Sequence, residues 1–179
     1  MLSELAEKLR GRVKIIGIGH PLRGDDGAGP ALIRLLEGRV GAELLEVDEV
    51  PESYAGKIAA GDPDLILLVD AADFGAEPGA VALLERAALP DRLATTHGAP
   101  LALLMDFLAA ESGGEVLLLG LQPKQIGVGS GLSAEMTATL SSLADWLAEQ
   151  SPCPAPAMAE ESAGVTADRP QLASHEVAA

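Results

Sequence analysis

The sequence predicts one α/β domain: a mainly parallel, twisted sheet of five strands with helices on both faces. Short apolar runs rich in β-branched residues alternate with longer amphipathic segments, the pattern of parallel strands joined by crossover helices. The chain has 179 residues, which is enough for one domain with its own hydrophobic core. Hydrophobic residues make up 48% of the sequence and charged residues 22%, as in ordinary globular proteins.

Three strands and three helices are predicted in the first half of the chain. Leucines at positions 2, 5 and 9 share one face of a short first helix. Residues 13–19 are apolar and β-branched, as in a strand buried on both faces. After a loop at 20–27, a helix with Pro30 in its first turn runs to about residue 39. The remaining elements are a strand at 43–47, a short helix at 53–60 and a strongly apolar strand at 65–69.

Two strands and two longer helices are predicted in the second half. In chain order the elements are a loop at 71–79, an edge-like strand at 80–84, a helix at 100–110, a strand at 115–121, a glycine-rich loop at 122–132 and a helix at 133–150. Ser133 stands where it can cap the last helix. The domain is therefore expected to cover residues 1–151. Residues 152–179 lack apolar periodicity and are expected to form a disordered tail.

The acidic composition argues against nucleic acids and anionic membranes as partners. Asp and Glu number 27 against 12 Lys and Arg, which gives a formal net charge of -15. The single cysteine, Cys153, allows no disulfide within the chain, which suits a reducing compartment. The N-terminus is acidic and amphipathic, unlike a signal peptide, and no apolar run is long enough to span a bilayer. We expect a cytoplasmic monomer.

Three polar residues next to predicted elements form the candidate site. Asp26 comes shortly after the strand at 13–19, and Asp70 comes directly after the strand at 65–69. His97 lies in a Thr-Thr-His segment just ahead of a predicted helix. In an open α/β sheet, loops at the carboxyl ends of the strands converge on one crevice. Two carboxylates and one imidazole gathered there would form a three-residue site for a divalent metal of borderline softness.

Each of these residues also has a purely structural interpretation. One carboxylate of the Asp25-Asp26 pair is expected to cap the following helix, which leaves its neighbour to point into the crevice. Asp70 could form an Asx turn into the next loop, where Asp73 is interpreted as a turn or cap residue. His97 could be a hydrogen-bonded loop histidine. The coincidence of Asp26, Asp70 and His97 around one edge of the sheet favours the site over these alternatives.

A hypothesis of a different class is a nonenzymatic α/β module that binds a nucleotide or a metal. Gly17 and Gly19 at the end of the first strand fit the start of a dinucleotide-binding loop. Leu22, however, stands where the third glycine would be. Asp25 and Asp26 stand just before the helix and would repel a pyrophosphate at its positive end. The sequence therefore disfavours a nucleotide site.

A series of short motifs extends over nearly the whole predicted domain, from residue 13 to about residue 150. They are Gly17-Ile18-Gly19, Gly24-Asp25-Asp26-Gly27-Ala28-Gly29-Pro30, Leu67-Leu68-Val69-Asp70-Ala71, Thr95-Thr96-His97 with Pro100-Leu101, and Leu119-Gly120-Leu121-Gln122-Pro123. In this order they resemble the NiFe-hydrogenase maturation endopeptidases. The Thr95-Thr96-His97 and Gly120-Leu121-Gln122-Pro123 segments look closest to the branch that processes the hydrogenase 3-type large subunit of formate hydrogenlyase.

The resemblance implies an endopeptidase that removes a C-terminal extension from a hydrogenase large-subunit precursor, and only after nickel has been inserted. The family's metal-binding residues correspond to Asp26, Asp70 and His97, which would also be the catalytic residues. The nickel would be presented by the substrate, and a divalent metal in the free enzyme is left open. The family has Asn where this chain has His20, which is either a fourth ligand or, as we favour, a loop residue hydrogen-bonded to backbone.

The expected groove for the substrate peptide lies beside these residues. Gly24, Gly27 and the Gln122-Pro123 pair would shape it, because glycines allow close backbone approach. A metal in such a site can polarise the scissile carbonyl or lower the pKa of an attacking water.

Overall fold

A sheet of six strands forms the centre of the computed structural model, which describes residues 2–89, 94–95 and 101–153. The strands are β1 (Val13–Ile18), β2 (Glu43–Val47), β3 (Leu65–Asp73), β4 (Val81–Glu85), β5 (Ala94–Thr95) and β6 (Glu115–Leu121). Five strands lie side by side in the order β2-β1-β3-β6-β4, and the short β5 pairs with β3. The pairs β1–β2, β1–β3 and β3–β6 are parallel, whereas β4 runs antiparallel to β6 at the edge.

The predicted fold class is confirmed, and the five predicted strands occur close to their expected positions. The expected loop at residues 71–79 begins too early, because β3 continues to Asp73. Ala71 and Ala72 are fully buried, and they pair with Leu121 of β6 and Thr95 of β5. The strand thus extends through Asp70 because both neighbours supply hydrogen-bonding partners, a tertiary effect that the apolar pattern does not reveal.

Helices cover both faces of the sheet, as predicted. They are α1 (Leu2–Lys8), α2 (Ala28–Leu36), α3 (Ala55–Ala59), α4 (Leu101–Ser112) and α5 (Ala134–Gln150). One apolar core joins α1, α2 and α5 to one face, and a second core joins α3 and α4 to the other. Within the described parts of the chain, no helix is both long and apolar enough to cross a membrane.

The two helices that connect β1, β2 and β3 lie on opposite faces of the sheet. From β1 the chain crosses through α2 to β2, and it returns through α3 on the opposite face to β3. Because β1 and β3 are parallel neighbours, their carboxyl ends lie at the same edge. This is the position at which open α/β sheets bind ligands.

Glycines bring the start of α2 directly against these two strands. A Cβ added at Gly29 would lie 2.4 Å from the carbonyl oxygen of Ile18 and 2.6 Å from that of Val69. Gly19 has a φ of +133°, and a Cβ there would lie 1.9 Å from the carbonyl oxygen of Asp26. The glycines of the first motif and of α2 therefore serve close backbone packing. They fix the turn that carries Asp26 beside β1.

The described fold continues two residues past the predicted domain end at Ser151. The N–H of Gly41 donates to the carbonyl oxygen of Ser151 at 2.9 Å, and Val40 forms a β-bridge with Pro152. The N–H of Cys153 donates to the carbonyl oxygen of Arg39 at 3.3 Å. The chain after α5 is thus tied to the segment that precedes β2.

Deleting residues 154–179 should leave the melting temperature unchanged, because this segment lacks the apolar periodicity that docking requires. A deletion that also removes Pro152 and Cys153 breaks the contacts with Val40 and Arg39. We expect it to lower the melting temperature by about 2–4 °C. Thermal unfolding followed by circular dichroism compares the two truncations. Aggregation or a lower melting temperature of the chain that ends at Cys153 would show that the deleted segment belongs to the fold.

Candidate functional site

Asp26 and Asp70 lie at the carboxyl edge of the central strands, and both are fully buried. Asp26 belongs to a 3-10 turn, Gly24–Gly27, that follows β1 and packs against β3. Asp70 lies within β3, one residue past Val69, where the pairing of β3 with β1 ends. The structure therefore brings the loop after β1 and the end of β3 to one edge, as the sequence predicts. His97, the third predicted residue, lies outside the described residues.

The Asp26 carboxylate is oriented by the loop in which it lies. Its Oδ2 accepts a hydrogen bond from the N–H of His20 at 3.1 Å. The His20 ring in turn accepts at Nδ1 from the N–H of Leu22 at 3.2 Å. A neutral imidazole that accepts at Nδ1 carries its proton on Nε2. This geometry supports the interpretation of His20 as a loop residue bonded to backbone.

Asp25 has a different role from the predicted helix cap. Its Oδ2 accepts from the N–H groups of Lys124 at 2.8 Å and Gln125 at 3.2 Å, and its Oδ1 accepts from the N–H of Ser133 at 2.7 Å. The cap positions of the 3-10 turn and of α2 are Arg23 and Gly27, without a side-chain capping bond. The expectation that one carboxylate of the pair caps the helix was wrong. Asp25 instead anchors the glycine-rich loop before α5.

Gln122 anchors the loop that follows β3. Its Oε1 accepts from the N–H groups of Phe74 at 3.0 Å and Ala76 at 3.2 Å, and its Nε2 donates to Asp73 at 3.1 Å. This donation, together with the N–H of Gly75, holds the pKa of Asp73 below its usual value. Asp73 therefore forms the predicted turn. Gln122, directly after β6, thus fixes the loop after β3. Asp25, in the turn after β1, fixes the loop before α5.

The three aspartates at this edge of the sheet are buried, which their positions in the sequence do not indicate. Asp25, Asp26 and Asp70 each have 0% relative exposure. Burying a carboxylate is costly unless hydrogen bonds or a counter-charge offset the lost hydration. For Asp25, three backbone N–H donors offset this cost of burial. The sequence did not reveal this role, because its partners lie 99 to 108 residues away.

The three-residue metal site remains a prediction. Across the described ranges, no group of three or more His, Cys, Asp and Glu side chains is placed to hold a metal ion. Asp26 and Asp70 would supply two carboxylate ligands at the edge of the sheet, where a hard or borderline cation finds oxygen donors. The third ligand of the predicted set is His97.

Comparisons with known proteins give a consistent result. The family model described as hydrogenase maturation protease matches residues 39–150. The hydrogenase 3 maturation protease of Escherichia coli K12 is 35% identical over 120 residues, which cover 63% of this chain and 74% of that protein. The crystal structure of the NiFe hydrogenase maturation protease HycI from Thermococcus kodakarensis superposes with a TM-score of 0.75 at 34% identity, covering 82% of this chain and 97% of that one.

A further crystal structure supports the same similarity. That of a hydrogenase 3 maturation protease has a TM-score of 0.69 at 26% identity and covers 76% of this chain and 89% of that one. The similarity thus extends over sequence and fold, and the residues that the family model matches include β3 with Asp70.

Proposed function

Because the chain belongs to the hydrogenase maturation protease family, we propose that it is the endopeptidase that removes a C-terminal extension from the large-subunit precursor of a NiFe hydrogenase. The observation that carries the proposal is the pair of buried aspartates, Asp26 and Asp70, at the carboxyl edge of the sheet, in a chain that superposes on a hydrogenase maturation protease with a TM-score of 0.75. Because the proposed substrate is another protein, we expect part of the surface of this chain to recognise it.

We propose that Asp26, Asp70 and His97 bind the nickel that the precursor presents. Carboxylate oxygens and an imidazole nitrogen form a donor set that suits a borderline divalent ion. When bound, such an ion polarises the scissile carbonyl or lowers the pKa of the attacking water. Three protein ligands leave coordination positions open, as required when the ion is already held by another protein.

The remaining residues of the site position these groups. The His20 N–H fixes one oxygen of Asp26, and β3 with its neighbours fixes the backbone of Asp70. Asp25 and Gln122 hold the two flanking loops through hydrogen bonds to backbone N–H groups. Sites with such preorganised ligands avoid the cost of reorganisation when the substrate binds.

The decisive experiment is incubation of the purified chain with nickel-loaded precursor. The proposed endopeptidase shortens the precursor at its C-terminus, which mass spectrometry of both products detects. A nonenzymatic metal- or nucleotide-binding module would leave the precursor intact. Calorimetric titration with nucleotides and with Ni²⁺ alone would then identify its ligand.

Cleavage should depend on the nickel of the substrate. Precursor loaded with nickel should be cut, whereas precursor that carries only the iron centre should stay intact. Chelator treatment of the enzyme before mixing should change the rate little, because the decisive ion arrives with the substrate. Equal cleavage of nickel-free precursor, together with inhibition by prior chelation, would instead indicate a resident catalytic ion.

We also propose that the enzyme acts in the cytoplasm as a monomer. Its single cysteine, Cys153, fits a reducing compartment, since it leaves no pair for a disulfide within the chain. Cell fractionation and light scattering of the purified protein test the two statements separately.

A further inference from the structure

Three large apolar side chains are exposed on the two loops beside the candidate site. Leu22 is 66% exposed in the loop after β1, and Ile126 and Val128 are 41% and 86% exposed in the loop before α5. We call these three residues the apolar rim. Single exposed apolar side chains are common on protein surfaces, whereas contiguous exposed apolar patches mark interaction sites.

Hydrogen bonds between the two loops hold the apolar rim in place. The N–H of Gly129 donates to the carbonyl oxygen of Leu22 at 2.8 Å, and the N–H of Gly24 donates to that of Ser130 at 2.9 Å. The N–H of Asp25 donates to the carbonyl oxygen of Gln125 at 3.0 Å, and the Asp25 carboxylate adds its own bonds to this loop. Leu22 and Val128 are therefore presented on a braced surface.

The apolar rim is continuous with the candidate site. The Leu22 N–H bonds to the ring of His20, and the His20 N–H bonds to the carboxylate of Asp26. Two hydrogen bonds thus connect the apolar rim to Asp26, a predicted metal-binding residue.

The cations next to the rim are already engaged in ion pairs. Arg23 pairs with Glu49, and the hydrogen bond from this pair raises the pKa of Arg23. Lys124 Nζ lies 2.6 Å from Glu135 Oε1, and its hydrogen bond lowers the pKa of Glu135. Their charges are balanced locally, so the surface around the rim favours an apolar partner over a charged one.

We propose that the apolar rim binds an apolar segment of the hydrogenase large-subunit precursor close to the peptide bond that is cut. The inference rests on the proposed function and names the surface by which that substrate is held. The occupant is the substrate and not a second copy of the chain, because a copy seated on the rim would stand over the edge where Asp26 lies.

The test compares the double variant Leu22→Ser/Val128→Ser with the wild type. We expect KM for nickel-loaded precursor to rise about tenfold while kcat stays within about twofold, because binding is lost and the reacting groups are unchanged. The melting temperature should be unchanged, and the wild-type KM should vary little with salt. Leu22→Met, which keeps an apolar side chain, should retain the wild-type KM.

A matched pair of single variants separates the rim from other exposed apolar positions. Ile126→Ser should raise KM, whereas Leu35→Ser should not, although Leu35 is 42% exposed and Ile126 is 41% exposed. Leu35 lies near the end of α2, away from the carboxyl edge where that helix begins. Equal KM values for both variants would overturn the proposal.

Other results would also contradict the proposed role of the apolar rim. An unchanged KM in a folded double variant, or a fall in kcat alone, would exclude the rim as a substrate-binding surface. Light scattering that shows a wild-type dimer and a monomeric double variant would assign the rim to self-association. If the wild type cuts no precursor, the proposed function fails. The Kd of the precursor for wild type and double variant, measured by biolayer interferometry, then still tests the rim by itself.

Discussion

Asp26→Asn and Asp70→Asn should each abolish cleavage of nickel-loaded precursor, with a loss of rate of about 1,000-fold or more. Asn keeps the size of the side chain but removes the negative charge, so the binding of a divalent ion is lost while packing is retained. His97→Ala should have the same effect. Initial rates of precursor shortening, measured on gels at equal enzyme concentration, provide the test.

The same variants should remain folded, because both aspartates are fully buried and Asn fits the same space. The oxygen of Asn at position 26 can still accept from the His20 N–H. Removing a buried charge also lowers the desolvation cost, so we expect the free energy of unfolding to change by less than about 2 kcal/mol.

Asp73→Asn serves as the matched control, since Asp73 is an exposed turn residue on the same strand as Asp70. It should keep most of the activity. If Asp26→Asn were active and Asp25→Asn inactive, the roles within the pair would have to be exchanged.

Asp25→Ala should produce the largest loss of stability, about 3–5 kcal/mol in the free energy of unfolding. The substitution leaves the N–H groups of Lys124, Gln125 and Ser133 without their carboxylate acceptor. Asp25→Asn should cost less, because one oxygen remains, although its NH₂ group then faces a donor. Urea unfolding with linear extrapolation measures both values.

Asp145→Ala provides the control for this comparison. Asp145 is largely exposed on α5, where it pairs with Arg39 at 2.7 Å. Exposed ion pairs contribute little, so we expect a change below about 1 kcal/mol. A midpoint for Asp25→Ala as high as that of Asp145→Ala would mean that the three hydrogen bonds do not anchor the loop.

Five of the six described strands could be predicted because each of the five has a local signature. Residues 65–69 form an apolar run that a polar residue ends, and the position of Asp70 at the edge of the sheet followed from the parallel arrangement. The same signature misplaced the end of β3, since Asp70 looks like a boundary in sequence although the strand continues to Asp73. The two-residue β5 has no periodicity to detect.

The candidate site could be predicted by position but not by environment. The placement of Asp26 follows from a motif next to β1, whereas the roles of Asp25 and Gln122 depend on partners far away in the chain. The Gln122 side chain bonds to Phe74 and Ala76, 48 and 46 residues earlier. A hydrogen bond between such distant residues leaves no pattern in either segment. Burial of the aspartates is hidden for the same reason.

The hydrogen bonds of Asp25 can form only late in the synthesis of the chain. Its carboxylate lies near the start of the chain, yet Lys124, Gln125 and Ser133 follow 99, 100 and 108 residues later. A ribosome adds about 5–20 residues per second, so these donors emerge roughly 5–20 s after Asp25. Until then the nascent polypeptide carries the turn of Asp25 and Asp26 without the loop that Asp25 anchors. The candidate site therefore gains all the contacts of Asp25 only when translation has passed Ser133.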